Sequence, residues 1–131
     1  MQMILFQMNQ QHFLISADSV EEVIDTVNIT SVPLAPHWVE GLINLRGTVL
    51  TVINLSRLIG MNSIAENRNI LIMKQNEERK GLLIEEVIEV IDIQEEEIQL
   101  DATEKFDYYT GIVKFKDRLA NVIDVNHLIF E

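Results

Sequence analysis

The sequence predicts a mainly β protein built from two similar small β subdomains. Two features predict it: an internal repeat relates the halves of the chain, and the apolar residues form short runs rich in Val and Ile. Charged or turn residues separate these runs, which is the pattern of half-buried strands. Since only 2 Pro and 5 Gly occur among 131 residues, without low-complexity tracts, we expect the whole chain to be folded.

The repeat emerges when the chain is shifted by 70 positions. Residues 41–59 then lie over 111–129 without a gap, and five of the nineteen positions are identical. A second match, at a shift of 64, sets 20–24 over 84–88 in the same order. A period of about 65 to 70 residues is too long for a solenoid unit and fits two similar subdomains.

These matches define the expected organisation of one domain, 1–131. Subdomain 1 is placed within 13–65 and subdomain 2 within 66–131. The N-terminal strand region, 1–12, is free to cross between them. Three pairs of apolar runs around polar or Gly-containing turns predict β-hairpins. The pairs are 3–8 with 12–16, 41–45 with 49–53, and 70–73 with 81–84.

Short helices are predicted where the last strand of each repeat ends. Asn54 and Asp124 stand at N-cap positions, where a side-chain oxygen accepts a backbone N–H of the next turn. Gly60 is expected to end the first helix. Pro36 opens a single helical turn that Gly41 closes.

Residues 20–27 and 84–91 admit two interpretations. Their apolar residues recur at i, i+3, i+4 and i+7, which is typical of a helix face. Both segments are also rich in β-branched residues and follow directly from strands, which favours an extended chain.

Composition excludes several classes of protein. The length fits about one domain with its own core, and the absence of cysteine fits a reducing compartment. A net charge of −11, from 21 acidic and 10 basic residues, opposes binding to nucleic acid or an anionic membrane. No apolar run approaches the ~18 to 20 residues of a membrane span, and no signal peptide precedes the first strand. We expect a cytoplasmic protein without membrane insertion.

The sequence offers almost no residue pattern of catalytic chemistry. The three histidines, His12, His37 and His127, are far apart and lack companions at metal-ligand spacing. Nucleophile and phosphate-loop motifs are missing from the sequence. We predict no enzyme, no cofactor and no metal site; a deep pocket with convergent polar groups would reopen the question.

The stretch 32–47, which contains Asn44-Leu45-Arg46-Gly47, resembles the CheW family of chemotaxis coupling proteins. The apolar run 49–55 continues the likeness, which extends over nearly the whole chain. Two residues depart from the family pattern, because Asn54 and Glu85 stand where Asp is usual. The further matching segments are 13–24, 81–90 and 111–128.

The resemblance implies two intertwined five-stranded β-barrels, SH3/OB-like, with short helical turns. It implies a non-catalytic adaptor that links membrane chemoreceptors to the CheA histidine kinase. The kinase's regulatory domain would bind end to end, barrel against barrel, and the receptor's cytoplasmic helical tip would lie in a groove between the subdomains. The alternative is a solitary β-barrel module that binds another regulator or a small ligand outside chemotaxis, and partner binding distinguishes the two.

Arg46 is the first candidate for partner binding, because its guanidinium, beside Gly47 in a turn, can pair with a carboxylate. That carboxylate belongs either to a partner or to this chain, and the family motif implies Glu22 as the internal candidate. Val20 and Gly41 match family positions associated with coupling, and each also has an ordinary structural interpretation. Asn44 and Gly47 complete the candidate partner-binding set. Trp38 is expected to seal the core.

Charge is unevenly spread along the chain. The stretch 85–107 is strongly acidic and is either a solvated face or a landing surface for a basic partner. Lys114, Lys116 and Arg118 replace Asn44, Arg46 and Thr48 in the second repeat. This basic strip either meets an acidic surface of the kinase or balances the local acids.

Overall fold

The computed structural model describes residues 1–62, 66–100 and 106–130. Ten strands and two four-residue helices lie within them, with 3₁₀ turns at Ala17–Ser19 and Glu95–Glu97. None of the described helices is long and apolar enough to cross a membrane. The strands are β1 Gln2–Met8, β2 Gln11–Ser16, β3 Val20–Asp25, β4 Val39–Leu45, β5 Thr48–Asn54, β6 Asn69–Gln75, β7 Glu78–Ile84, β8 Glu86–Asp92, β9 Tyr109–Phe115 and β10 Arg118–Ile123, and the helices are α1 Leu55–Leu58 and α2 Asn126–Ile129.

The strands form two five-stranded sheets, which confirms the mainly β prediction. Sheet A has the order β8-β1-β2-β10-β9, and sheet B has the order β3-β6-β7-β5-β4. In each sheet the third and fourth strands run parallel, and all other neighbours are antiparallel. The sheets are not hydrogen-bonded into closed barrels, since each keeps two edge strands along its described length.

The sheets do not follow the boundary drawn between residues 65 and 66. The hairpin β6-β7 of the second repeat completes sheet B, and the hairpin β1-β2 of the first repeat completes sheet A. The predicted subdomains 13–65 and 66–131 therefore follow the sequence repeat, whereas each sheet contains one hairpin from the other repeat. Local sequence cannot reveal this exchange, because each hairpin has the same turn and the same apolar faces in either sheet.

The backbone pairing of the two sheets is nearly superposable. A shift of 70 carries β4 and β5 onto β9 and β10, as predicted, whereas a shift of 67 carries β1, β2 and β3 onto β6, β7 and β8. Glu22 pairs with Ile72 in sheet B just as Glu89 pairs with Leu5 in sheet A. The predicted shift of 64 is wrong by three residues. Acidic and apolar residues recur along β8, so the β3 sequence also matches it three positions out of register.

Each sheet curls until one isolated bridge joins its two edges. Thr30, after β3, bridges Leu42 of β4, and Gln99, after β8, bridges Ile112 of β9. In both bridges the backbone N–H and C=O groups exchange hydrogen bonds of 2.8 to 2.9 Å. The two sheets are thereby drawn into barrel-like shapes that are open elsewhere along the edge.

Three apolar clusters make up the core of the described part of the chain. The largest lies between the sheets and takes side chains from both, among them Phe6, Phe13, Leu71 and Ile84. The two smaller clusters fill the inside of sheet A and the inside of sheet B. The shared cluster buries one face of each exchanged hairpin, so the two halves form one cooperative domain.

Both segments with two interpretations are extended. Burial along β3 alternates strictly, so that Val20, Glu22 and Ile24 are half-buried and the residues between them are exposed. Ile84 ends β7, and the rest of 84–91 lies mainly in β8. The β-branched residues therefore outweigh the helical spacing, because strand pairing satisfies the backbone and buries alternate side chains.

The helix-end predictions have mixed outcomes. Asn54 caps α1, since its Oδ1 accepts from the backbone N–H of Arg57 at 3.1 Å, and Gly60 follows the helix with φ +76°. Asp124 is not the cap of α2, because the helix starts one residue later, after Val125. The helical turn predicted from Pro36 to Gly41 is wrong as well. Val39 N–H donates to the Pro36 carbonyl at 3.0 Å in a four-residue turn, and β4 already begins at Val39.

Candidate partner-binding surfaces

Arg46 and Glu22 form an ion pair, so the internal partner expected for Arg46 is present. Arg46 lies in the two-residue β4–β5 turn, where Arg46 and Gly47 both have positive φ, as a type I′ hairpin turn requires. Glu22 lies on β3, the opposite edge of sheet B. The pair therefore spans the open end of the curled sheet. The guanidinium is accessible, with 68% of the Arg46 side chain exposed.

A second ion pair lies beside the first. Arg79 Nε donates to both carboxylate oxygens of Glu21, at 2.8 and 3.1 Å. This hydrogen bond lowers the pKa of Glu21 and, reciprocally, raises the pKa of Arg79. The sequence did not point to either residue, because Glu21 and Arg79 lie on strands separated by β6 and 58 positions apart.

The two ion pairs enclose a small cavity that we name mouth B. Its volume is about 200 Å³. Two cations and two carboxylates meet there, each cation with a carboxylate of its own. The lining residues of mouth B are Glu21, Leu45, Arg46, Thr48, Leu50 and Arg79, with Glu22 reaching Arg46 from β3.

Asn44 and Gly47 shape the turn that carries Arg46. The Asn44 Oδ1 accepts from the Gly47 backbone N–H at 2.8 Å, which ties the two ends of the turn together. Gly47 has φ +86° and nothing within 4 Å of the position that a Cβ would take. Both residues therefore lie at mouth B with Arg46 and Glu22.

Gly41 and Val20 lie elsewhere. Gly41 sits within β4 with φ +152°, and a Cβ there would approach the Thr30 carbonyl oxygen to 2.2 Å. It admits the strand-closing bridge, and the predicted role as a helix stop is wrong. Val20 is half-buried at the start of β3 and packs against the shared core, as do Ala17 and, from sheet A, Val87. These three side chains are partly exposed, and we name them the shared-core row.

The remaining candidates have structural surroundings. Trp38 is 37% exposed and meets the edge of His37, so it does not seal the core. His12 contacts Arg118. Among residues 1–62, 66–100 and 106–130, no group of three His, Asp or Glu side chains could hold a metal ion. The acidic stretch 85–107 lies partly outside the described residues, and its described part includes the 3₁₀ turn Glu95–Glu97.

Comparison with known proteins decides the family. The family model described as CheW-like domain matches residues 2–131. The chain belongs to the CheW family. The chemotaxis protein CheW of Thermotoga maritima is 32% identical over 129 residues, covering 96% of this chain and 85% of that protein. CheW of Bacillus subtilis is 31% identical over 134 residues, covering 97% and 85%.

A solved structure extends the likeness to three dimensions. The crystal structure of the scaffolding protein TtCheW from Thermoanaerobacter tengcongensis superposes with a TM-score of 0.88 at 30% identity. The alignment covers 99% of this chain and 87% of that one. Sequence family and fold together identify a chemotaxis coupling protein of the CheW adaptor, or scaffold, type.

Proposed function

We propose that this CheW-family chain is a non-catalytic adaptor that couples transmembrane chemoreceptors to the CheA histidine kinase in the cytoplasm. The observation that carries the proposal is the family match over residues 2–131, together with the CheW fold over the same length. Its partners are the regulatory domain of CheA and the cytoplasmic tip of the receptor.

Mouth B supports a role for Arg46 in coupling. An exposed ion pair contributes only about 0 to 1 kcal/mol, so Arg46 can leave Glu22 for a partner carboxylate at little cost. The Arg46 guanidinium offers a planar fork that suits a carboxylate. Glu22 keeps the guanidinium aligned in the free protein, and Asn44 and Gly47 hold the turn that presents it.

The shared-core row supports a place for the receptor's helical tip. Ala17, Val20 and Val87 are partly exposed and rest on apolar side chains from both sheets. A helix that lays apolar residues at i, i+3, i+4 and i+7 on such a surface gains affinity by burying them. Val20 and Val87 stand at equivalent register positions of the two sheets, so each sheet contributes to the row.

The adaptor role fits the electrostatics of the described side chains. The Glu21–Arg79 ion pair lowers the pKa of Glu21 and raises that of Arg79. The cause is their mutual hydrogen bond at the surface and not burial in a reaction cleft. Charged groups of this kind set orientation and association rate at an interface. We therefore assign the charges of mouth B to partner recognition.

Calorimetric titration of the protein against the isolated regulatory domain of the cognate CheA, at physiological salt, tests the proposal. We expect saturable one-to-one binding in the wild type and weaker binding in Arg46→Glu. An exposed arginine away from mouth B, Arg68, gives the matched control Arg68→Glu. Failure of the wild type to bind any CheA of its source organism would overturn the coupling role and favour a β-barrel module outside chemotaxis.

A further inference from the structure

Sheet A has an open end equivalent to mouth B, and we name it mouth A. It surrounds a cavity of about 200 Å³. The strand pairing that superposes the sheets carries Arg46 onto Lys116 and Glu22 onto Glu89. Lys116 Nζ lies 3.7 Å from Glu89, in the place of the Arg46–Glu22 pair. The lining residues of mouth A are Leu5, His12, Ile88, Glu89, Phe115, Lys116, Arg118 and Ala120.

The charge balance differs between the two mouths. Mouth B pairs two arginines with two glutamates, whereas mouth A places Lys116 and Arg118 against Glu89 alone. The position of Glu21 is taken by Ile88, and that of Thr48 by Arg118. Across the described residues, the only hydrogen-bonding or ion-pairing partner of the Arg118 guanidinium is His12 Nε2, at 3.0 Å. Arg118 therefore lacks the carboxylate that each cation of mouth B has.

The apolar side chains that line the two mouths also differ. Ala120 stands where Leu50 fills mouth B, and Phe115 stands where mouth B has Leu45. Ile88 adds an apolar wall on the edge strand and is 42% exposed. The result is an apolar recess with two cations at its rim. Asp117, the second turn residue, does not line the cavity.

We propose that mouth A docks an acidic peptide segment of a protein partner. Arg118 and Lys116 hold a carboxylate of that segment, and a neighbouring apolar side chain enters the recess against Ile88, Phe115 and Ala120. A guanidinium and an ammonium on a chain of net charge −11 form a local site for a single carboxylate, while the whole protein repels extended polyanions.

The size of the cavity favours a peptide over a free small molecule. Small-molecule sites enclose about 300 to 1,000 Å³ and cover most of their ligand. Mouth A encloses less and leaves its cations exposed, with 71% of the Lys116 side chain in solvent. Such a recess accommodates one apolar side chain, and the rest of the ligand must lie outside on the surface.

The test is an NMR titration of the full chain with the capped tetrapeptide acetyl-Leu-Phe-Glu-Leu-amide. A control peptide with Gln in place of Glu lacks only the charge. A second control, 4-phenylbutyrate, tests whether a free small acid binds instead. We expect the Glu peptide to shift the backbone amides of β8 and the β9–β10 turn, and the Gln peptide to bind about tenfold more weakly. Equal binding of the two peptides, shifts confined to mouth B, or tighter binding of 4-phenylbutyrate would each overturn the proposal.

Arg118→Thr is the decisive variant, because it installs the residue that mouth B has at this position. We expect it to weaken the Glu peptide about tenfold, while Arg68→Thr, the same change outside the cavity, binds as wild type. Wild-type affinity in Arg118→Thr would remove Arg118 from the site. These measurements use no chemotaxis partner, so their outcome is independent of the coupling role.

Discussion

Gly41 and Gly111 occupy equivalent positions in the two sheets, and each faces the carbonyl that closes its sheet. A Cβ at Gly41 would lie 2.2 Å from the Thr30 oxygen, and one at Gly111 would lie 2.6 Å from the Gln99 oxygen. Both contacts are with backbone, which cannot rotate away as a side chain can. Both repeats therefore have glycine at this position, because the chain that follows an edge strand passes directly over it.

Gly41→Ala and Gly111→Ala are expected to destabilise the fold by about 2 to 4 kcal/mol each, because the closing bridge must shift or break. Urea denaturation followed by circular dichroism measures the change. Gly47→Ala is the control: it carries the strain of φ +86° without a steric neighbour, so its cost is about 1 to 2 kcal/mol. A cost at Gly41 no larger than at Gly47 would contradict the close-approach explanation.

Arg46→Glu is expected to weaken kinase coupling while changing the free energy of unfolding by less than about 1 kcal/mol, because the residue lies in an exposed turn. Kinase activity in a reconstituted receptor array measures the coupling, and thermal unfolding checks the fold. In the charge-swapped double variant, Arg46→Glu with Glu22→Arg, the internal pair returns but the turn still presents the wrong charge. Full recovery of coupling in that double variant would assign Arg46 a structural role only.

The sequence predicted the strands well because hairpins are local. Short β-branched runs and the turns between them predicted three of the four hairpins in the described residues, and the repeat predicted two similar subdomains. The sequence did not reveal which hairpin joins which sheet, since that choice depends on burial in the shared core between them. Arg46 was predicted from its motif, whereas Glu21 and Arg79 were not. Their contact joins segments 58 positions apart, and no local sequence pattern indicates it.

Asn54→Ala is expected to cost about 1 to 2 kcal/mol. The Asn54 Oδ1 accepts from the Arg57 N–H at 3.1 Å and from the Ser56 hydroxyl at 2.7 Å, and the side chain is almost fully buried. Asp124→Ala, at the equivalent position, is expected to cost less, because Asp124 is exposed and, among the residues that the structure describes, accepts only from Asn126 N–H at 3.2 Å. Chemical denaturation of both variants compares them; equal losses would refute the difference in capping.

The Arg79–Glu21 pair predicts a pH effect. Because the Arg79 hydrogen bond lowers the pKa of Glu21 in the folded protein, the pair's contribution is present above the ordinary value of 4.5 and is lost as the pH falls through the folded value. Arg79→Gln is expected to return the Glu21 pKa toward 4.5 and to reduce the acid sensitivity of stability. NMR titration of the Glu21 side-chain carboxyl measures the shift. An unchanged Glu21 pKa in Arg79→Gln would exclude Arg79 as its cause.

Val20→Ala tests the shared-core row as the place of the receptor tip. The substitution removes two methyl groups from the proposed contact, and about 0.8 kcal/mol for each buried carbon predicts a loss of affinity of about tenfold. Val23→Ala is the matched control, since Val23 lies on the same strand with its side chain 41% exposed on the opposite face. Fluorescence anisotropy of a labelled receptor-tip fragment measures both variants, with unfolding curves as a check that each is folded. A larger loss in Val23→Ala than in Val20→Ala would put the receptor on the outer face of β3, since alternate residues of a strand cannot serve the same surface.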